Sequence, residues 1–142
     1  MATAYETDIV AWANEQAGFI RAKCFDKLDL EHLAEEMEIM GKREKRELAS
    51  RLSVLLAHLL KWQYQPIRRG SSWERTIRLQ RKEIAYELRD IPSLKPLLIQ
   101  QEWFELVWDK AVSIASNETG LDSFPELCPW TPEQILDLDF WP

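Results

Sequence analysis

Leu48-Ala49-Ser50-Arg51-Leu52-Ser53-Val54-Leu55-Leu56-Ala57-His58-Leu59-Leu60-Lys61-Trp62 is the stretch that decides the fold. Leu48, Leu52, Leu55, Leu59 and Trp62 recur at steps of four, three, four and three, the spacing of one face of an α-helix. No alternating pattern of useful strand length occurs in the 142 residues, so the chain reads as all-α. The longest aliphatic run, Val54 to Leu60, is interrupted by His58 and falls far short of the ~20 apolar residues a membrane span needs.

Upstream, an apolar stripe continues as Leu30, Leu33, Ala34, Met37 and Met40, with Glu31, Glu35 and Glu38 outside and Asp29 as a good N-cap. One helix from Leu30 to Gln65 would extend about 54 Å at ~1.5 Å per residue. A compact chain of this size has a radius of gyration of only about 14–15 Å. A break or kink is therefore expected near Gly41, the one residue there that lowers helix propensity, and Pro66 ends the second half. Another helix is expected from after Thr3, where Thr3-x-x-Glu6 has capping-box spacing, to about Lys23. Ile9, Trp12, Ala13, Gln16 and Phe19 share its inner face.

Downstream, Arg68-Arg69-Gly70-Ser71-Ser72 is a turn, and Ser71-x-x-Glu74 offers a second capping box. Trp73, Ile77, Gln80, Ile84 and Leu88 mark the next helical face, up to Pro92. A last long helix is expected to start near residues 93–96, with Phe104, Val107, Ala111 and Ile114 inward and Gly120 as C-cap. Beyond it the chain is Pro-rich and irregular. One short helix is expected at Thr131-Pro132-Glu133-Gln134, where Thr caps, Pro takes the first position and Gln stands three after the cap. The architecture expected is one domain over 1–142, a compact all-α bundle of four to five main helices over about 4–120. A Pro- and Trp-rich segment over about 121–142 wraps against it. Leu33, Met37, Leu52, Leu55, Leu59, Ile77, Ile84, Val107 and Ala111 form the expected core.

Hydrophobic content of 46% beside 30% charge is that of a globular chain, not a disordered one. Seven Trp is a high count, and each indole N–H needs a partner, which places some at the core's edge. Cys24 and Cys128 stand far apart in no metal-type spacing, and the N-terminus lacks a basic segment followed by an apolar one. The expectation is a soluble, cytoplasmic protein with reduced thiols.

Charge is distributed unevenly. Residues 1–40 carry three bases against nine acids, residues 41–95 fourteen against six, and residues 96–142 one against nine. A net of −6 thus hides a middle of +8 between arms of −6 and −8.

Several groups of residues carry a more specific likeness. Tyr5-Glu6-x-Asp8, Leu28-Asp29-Leu30-Glu31 with Glu35-Glu36 and Gly41, and Leu59-Leu60-Lys61-Trp62-Gln63-x-x-Pro66 come first. Ser72-Trp73 with Ile77 and Gln80-Arg81, Ile91-Pro92-Ser93-Leu94, and Phe124-Pro125-Glu126-x-Cys128-Pro129-Trp130 follow in order. Together they resemble the bacterial family of domain of unknown function 29, over almost the whole chain. The resemblance implies an all-helical, single-domain bacterial protein and supplies no active site.

Chemistry-bearing residues are few. Lys61, Arg68, Arg69, Arg75, Arg78, Arg81 and Lys82 are the candidates for an anionic partner, with Trp62 and Trp73 placed to stack on bases. Against a nucleic-acid partner stands a pI near 5, where such domains more often exceed ~9. The plainer expectation is that these cations pair with Glu31, Glu35, Glu38 and the acids of the last helix. A di-metal carboxylate bundle needs Glu-x-x-His on two helices, but Leu55 precedes His58 by three and Asp29, a helix cap, precedes His32. No metal and no cofactor is implied. Gln80 on an apolar face calls for an interhelical hydrogen bond, to His58 or a backbone group. Neither cysteine has a local histidine, and no nucleophile elbow, phosphate loop or dinucleotide fingerprint occurs, so catalysis is not expected. What remains is a non-catalytic interaction module that binds a protein partner or itself, an isologous dimer being the simplest form of self-association. Trp62, Trp73, Trp130, Phe140 and Trp141 form its candidate surface, and nucleic-acid association through residues 61–82 is the alternative.

Overall fold

The computed structural model describes residues 3–142. It is all-helical, with α1 at Ile9–Arg21, α2 at Leu30–Tyr64, α3 at Ser71–Asp90, α4 at Gln101–Thr119 and α5 at Pro132–Leu136. Short 3₁₀ turns lie at Phe25–Lys27, Pro66–Arg68 and Pro92–Ile99, and no strand occurs among the described residues. The chain divides into two compact units, residues 1–44 and 45–142.

Helix α2 runs unbroken through Gly41 for 35 residues, about 52 Å at ~1.5 Å per residue. The expected kink is absent. A mid-helix glycine costs only about 1 kcal/mol relative to alanine. Around it stand Lys42, Arg43, Glu44, Lys45, Arg46 and Glu47, all good helix formers, and Glu38 precedes Lys42 by the favourable four residues.

In the N-terminal unit, α1 starts five residues later than Thr3 predicts. Asp8 is the cap: its backbone is extended and its Oδ1 accepts the Ala11 N–H at 3.1 Å. Thr3 instead donates through its N–H and hydroxyl to the Glu15 carboxylate, at 2.7 and 2.9 Å. Asp29 caps α2 as expected, its Oδ1 accepting the His32 N–H at 3.4 Å. The expected inner faces, however, are poorly covered. Met37 is 66% exposed and Leu33 half-buried, so neither is the core residue its spacing suggests. Trp12 and Gln16 are the buried side chains of this unit.

The C-terminal unit has a dense core. Leu48, Leu52, Leu55 and Leu59 are buried as their spacing predicts, joined by Leu56 and Leu60. Ile77, Ile84 and Leu88 come from α3, and Val107, Trp108, Ala111 and Ala115 from α4. Two boundaries differ from expectation. Gly70 is the N-cap of α3 and Ser71 is already helical, so the Ser71/Glu74 capping box does not form. Pro92–Ile99 is a 3₁₀ segment and α4 waits until Gln101, because Pro92 and Pro96 lack the N–H groups that an α-helix requires. Gly120 closes α4 in the left-handed conformation, at φ +76°. The capping box of α5 is complete: Gln134 N–H donates to Thr131 Oγ1 at 3.2 Å, and Thr131 N–H to Gln134 Oε1 at 3.0 Å.

The last segment packs on this core rather than trailing from it. Trp130 and Ile135 are buried, and Phe124, Cys128, Leu136, Phe140 and Trp141 pack against the same cluster.

Candidate functional site

The seven cations expected to meet an anionic partner have unlike surroundings. Lys61 is buried on the last turn of α2, where its ammonium pairs with Glu118 and lies 5.3 Å from the Trp73 ring. Arg69 donates through Nε to the Trp62 carbonyl at 2.7 Å, with its guanidinium 5.1 Å from the Trp62 ring. Arg78 pairs with Glu74 one turn back at 3.1 Å and stands 5.2 Å from the Trp141 ring. Arg81, 1% exposed, donates from Nε to the Ile135 carbonyl at 2.8 Å and from Nη2 to the Phe140 carbonyl at 2.7 Å. Its guanidinium is 5.5 Å from the same Trp141 ring. Arg68, Arg75 and Lys82 are exposed and make no ion pair among the described residues.

The candidate aromatics belong to the same assembly. The Trp62 and Trp141 rings are 4.7 Å apart, and Trp130 packs edge-on against Trp108 and Phe140 at 5.8 and 6.3 Å. Cations alternate with indoles, each over a ring face where the quadrupole attracts positive charge. Arg69, Arg78 and Arg81 thereby fasten the last segment to α2 and α3.

Ion pairing differs from the expected match of middle to arms. Within the C-terminal unit, Lys61–Glu118 reaches an acid of the last arm. Arg78 and Arg51 instead use acids of the basic stretch itself. Arg51 bonds Glu47 at 3.1 Å one turn back, pairs with Glu83, and lies 3.6 Å from Glu87, tying α2 to α3. Acids one helical turn away or on the adjoining helix compete better than distant ones.

His58 is half-buried with Nδ1 2.9 Å from the Val54 carbonyl, as expected of a core-edge histidine, and burial pulls its pKa down. The expected Gln80–His58 bond does not form, and Gln80 Oε1 is buried without a partner. Both cysteines are free; burial pushes the Cys128 thiol up, away from the thiolate a nucleophile needs.

A second constellation, in the N-terminal unit, escaped sequence reasoning. Asp29, besides capping α2, accepts the Trp12 indole N–H at 3.1 Å and holds His32 Nδ1 at 2.7 Å, both through Oδ2. The other ring nitrogen of His32 lies 3.2 Å from Glu6. Tyr5 stacks on the His32 ring, centroids 4.2 Å apart, and its hydroxyl donates to Glu36. Asp29 raises the His32 pKa, and His32 lowers that of Asp29. The Glu36 bond, first among several causes, pushes Tyr5 up to about 12. The Asp29–His32 spacing of three was readable as one helical face. Tyr5 and Glu6 lie more than twenty residues upstream, and no periodicity links them to it. The cluster clamps residues 5 and 6 onto α1 and α2.

Sharing Trp12 and Glu36 with this clamp, an open groove of about 280 Å³ runs between α1 and the first turns of α2. Ile9, Trp12, Ile20, Leu33, Met37 and Met40 supply most of its apolar lining. Among the described residues, eight of the fifteen exposed large hydrophobic side chains fall in this unit. The signal available in the sequence is the helical spacing of Ile9 and Trp12 on α1 and of Leu33, Met37 and Met40 on α2.

No helix among the described residues is long and apolar enough to cross a membrane. No curated protein and no solved structure matches the chain. One family does, over residues 4–141, and these span both the clamp of Tyr5, Glu6, Asp29 and Glu36 and the tail fastened by Arg81. The chain belongs to the family described as Domain of unknown function DUF29.

Proposed function

We propose that the chain is a non-catalytic interaction module whose contact surface is the apolar groove of the N-terminal unit. The observation that carries this is the contrast between spacing and cover: α1 and the start of α2 bear helical apolar stripes, yet among the described residues Trp12 is the only large apolar side chain they bury. A helical face of that kind is normally covered, and a contiguous apolar surface rimmed by charge marks an association site. Burial pushes the Cys128 thiol up, away from the reactive thiolate, and Asp29 and Glu36 are engaged by Trp12, His32 and Tyr5, which supports structural roles for these groups.

The test is site-specific cross-linking in the native cell extract. A photoreactive residue at Met37 should give a discrete adduct, and one at Ile67, 98% exposed on the C-terminal unit, should give none. Adducts at neither position, or equally at both, remove the proposal.

Nucleic-acid association is the second reading, and Arg68, Arg75 and Lys82 are the observation that favours it, being exposed and unpaired. Three phosphate contacts limit the salt slope to about −3 on duplex DNA.

A further inference from the structure

We infer that the solvent face of α3 is a second docking surface, and that it receives an acidic amphipathic helix of a partner protein. This face lies wholly in the C-terminal unit and does not depend on the groove. Arg75, Leu79, Lys82, Tyr86 and Arg89 follow one another at steps of four, three, four and three. At ~100° per residue all five stay within about 40° of the Arg75 direction. Ile77, Ile84 and Leu88, on the opposite side of the helix, are buried. Leu79 and Tyr86 are 55% and 64% exposed, and the three cations are exposed as well.

Charge sits on this same face. Arg75, Lys82 and Arg89 make no ion pair among the described residues. The acids of α3 are turned about 60–120° from the Arg75 direction at ~100° per residue. Glu74 pairs with Arg78 at 3.1 Å, Glu83 pairs with Arg51, and Glu87 lies 3.6 Å from Arg51. Asp90, the last residue of the helix, stands at the margin. A solvated helix face ordinarily mixes both signs in pairs one turn apart. The stripe from Arg75 to Arg89 holds three cations, two large side chains with apolar bodies and no acid.

Spacing chooses among anionic partners. Equivalent residues recur every seventh position, about 10.5 Å at ~1.5 Å per residue, and a 4-3-4-3 seam keeps one helix alongside another. A partner helix with acids opposite the cations and apolar residues opposite Leu79 and Tyr86 meets both chemistries in one register. Phosphates of a nucleic-acid strand recur every ~3.4 Å along the duplex axis, out of step with the cations, and Leu79 gains no apolar cover from them. A bilayer holds a helix through the apolar area it buries, and two side chains over about 21 Å are few for that. Exposed ion pairs add little affinity singly, so Leu79 and Tyr86 supply the hold and the cations the choice of partner.

The experiment uses the full chain and two labelled synthetic peptides of about 18 residues, long enough to form a helix on binding. Both carry Leu at one seam position of each heptad; the other seam position is Glu in one peptide and Lys in the second. Fluorescence anisotropy should show the Glu peptide binding at least about tenfold more tightly at low salt, with the advantage shrinking as the Debye length falls below ~10 Å. Lys82→Glu and Tyr86→Asp should each weaken it at least about fivefold. Lys110→Glu, the same charge change at an exposed position of α4, should leave it unchanged. Reversing all three cations together, Arg75→Glu, Lys82→Glu and Arg89→Glu, should hand the preference to the Lys peptide. Circular dichroism checks that these surface variants stay folded.

Equal affinity for the two peptides, binding of neither, or binding indifferent to Lys82 and Tyr86 overturns the inference. A short DNA duplex that binds more tightly than the Glu peptide, and is lost in Lys82→Glu, makes the occupant a nucleic acid and overturns it. The same behaviour with vesicles of equimolar phosphatidylcholine and phosphatidylserine gives the face to a membrane, and a dimer in sedimentation that Lys82→Glu dissociates gives it to a second copy. Either of these also overturns it, and none touches the groove, which is tested separately at Met37.

Discussion

Residues 30–40 and 48–60 belong to one helix, and both carry leucine or methionine at three- and four-residue steps, yet their fates differ. In the second stretch Leu48, Leu52, Leu55 and Leu59 are at most 1% exposed, because α3, α4 and the final segment supply the opposing surface. In the first, Met37 and Met40 remain about two-thirds exposed, because α1 alone lies against that face within its unit. Periodicity states which face of a helix is apolar. It does not state whether the chain owns enough other surface to cover that face.

The comparison is sharpest in truncation energies. Leu55→Ala should cost about 2–5 kcal/mol in denaturant unfolding, the range for a buried leucine. Met37→Ala should stay within about 0.5 kcal/mol, as at a surface position. A Met37→Ala loss near that of Leu55→Ala would show the N-terminal face to be covered, and the contrast would collapse.

Next comes the device that completes the well-covered region. Arg81→Ala should cost about 2–4 kcal/mol, since it removes two charge-assisted hydrogen bonds and strands the Ile135 and Phe140 carbonyls. Tryptophan fluorescence would report release of Trp141, which loses one of its two cations. An unchanged spectrum and midpoint would mean that the tail holds without Arg81.

Gly41, between the two stretches, should respond in the opposite direction. It is exposed and mid-helix, and a Cβ there meets nothing within 4 Å. Gly41→Ala should therefore raise helix stability by about 0.5–1 kcal/mol, read as a higher thermal midpoint. A loss would reveal a contact that needs the bare backbone.

The smallest effect concerns the clamp. His32 is raised above its ordinary 6.5 by Asp29, so its contribution is complete below pH 6.5 and fades as pH climbs through the raised value. Asp29 is lowered below 3.8 by His32, so its contribution is complete above 3.8 and fades as pH falls through the lowered value. Residues 5 and 6 should thus be held most firmly between about pH 4 and 6.5, followed through Trp12 fluorescence. His32→Gln should flatten the alkaline side of that profile; an unaltered profile would assign the titration to another group.

Much of the C-terminal unit was legible in the sequence because its signals are local: the 4-3-4-3 leucine spacing, the Thr131/Gln134 box, Gly120 at a helix end. The chain's class followed from the same periodicity. What was not legible depends on distance. Arg81 reads as one of seven solvent cations until carbonyls 54 and 59 residues away come to it. Asp29 reads as a cap, and only the approach of Trp12 and Glu6 makes it and His32 a clamp. Gly41 does not break α2 because six helix formers, residues 42–47, follow it directly.

The bond from Arg81 to Ile135 and Phe140 also sets an order in time. At synthesis rates of ~5–20 residues per second, roughly 3–11 s separate the making of Arg81 from that of Ile135. For most of that interval residues 30–90 have been made while the carbonyls that bond Arg81, and the Trp130 and Ile135 side chains of the shared core, have not. The core of the C-terminal unit therefore cannot be completed until the segment that carries Trp130, Ile135 and Phe140 has been made.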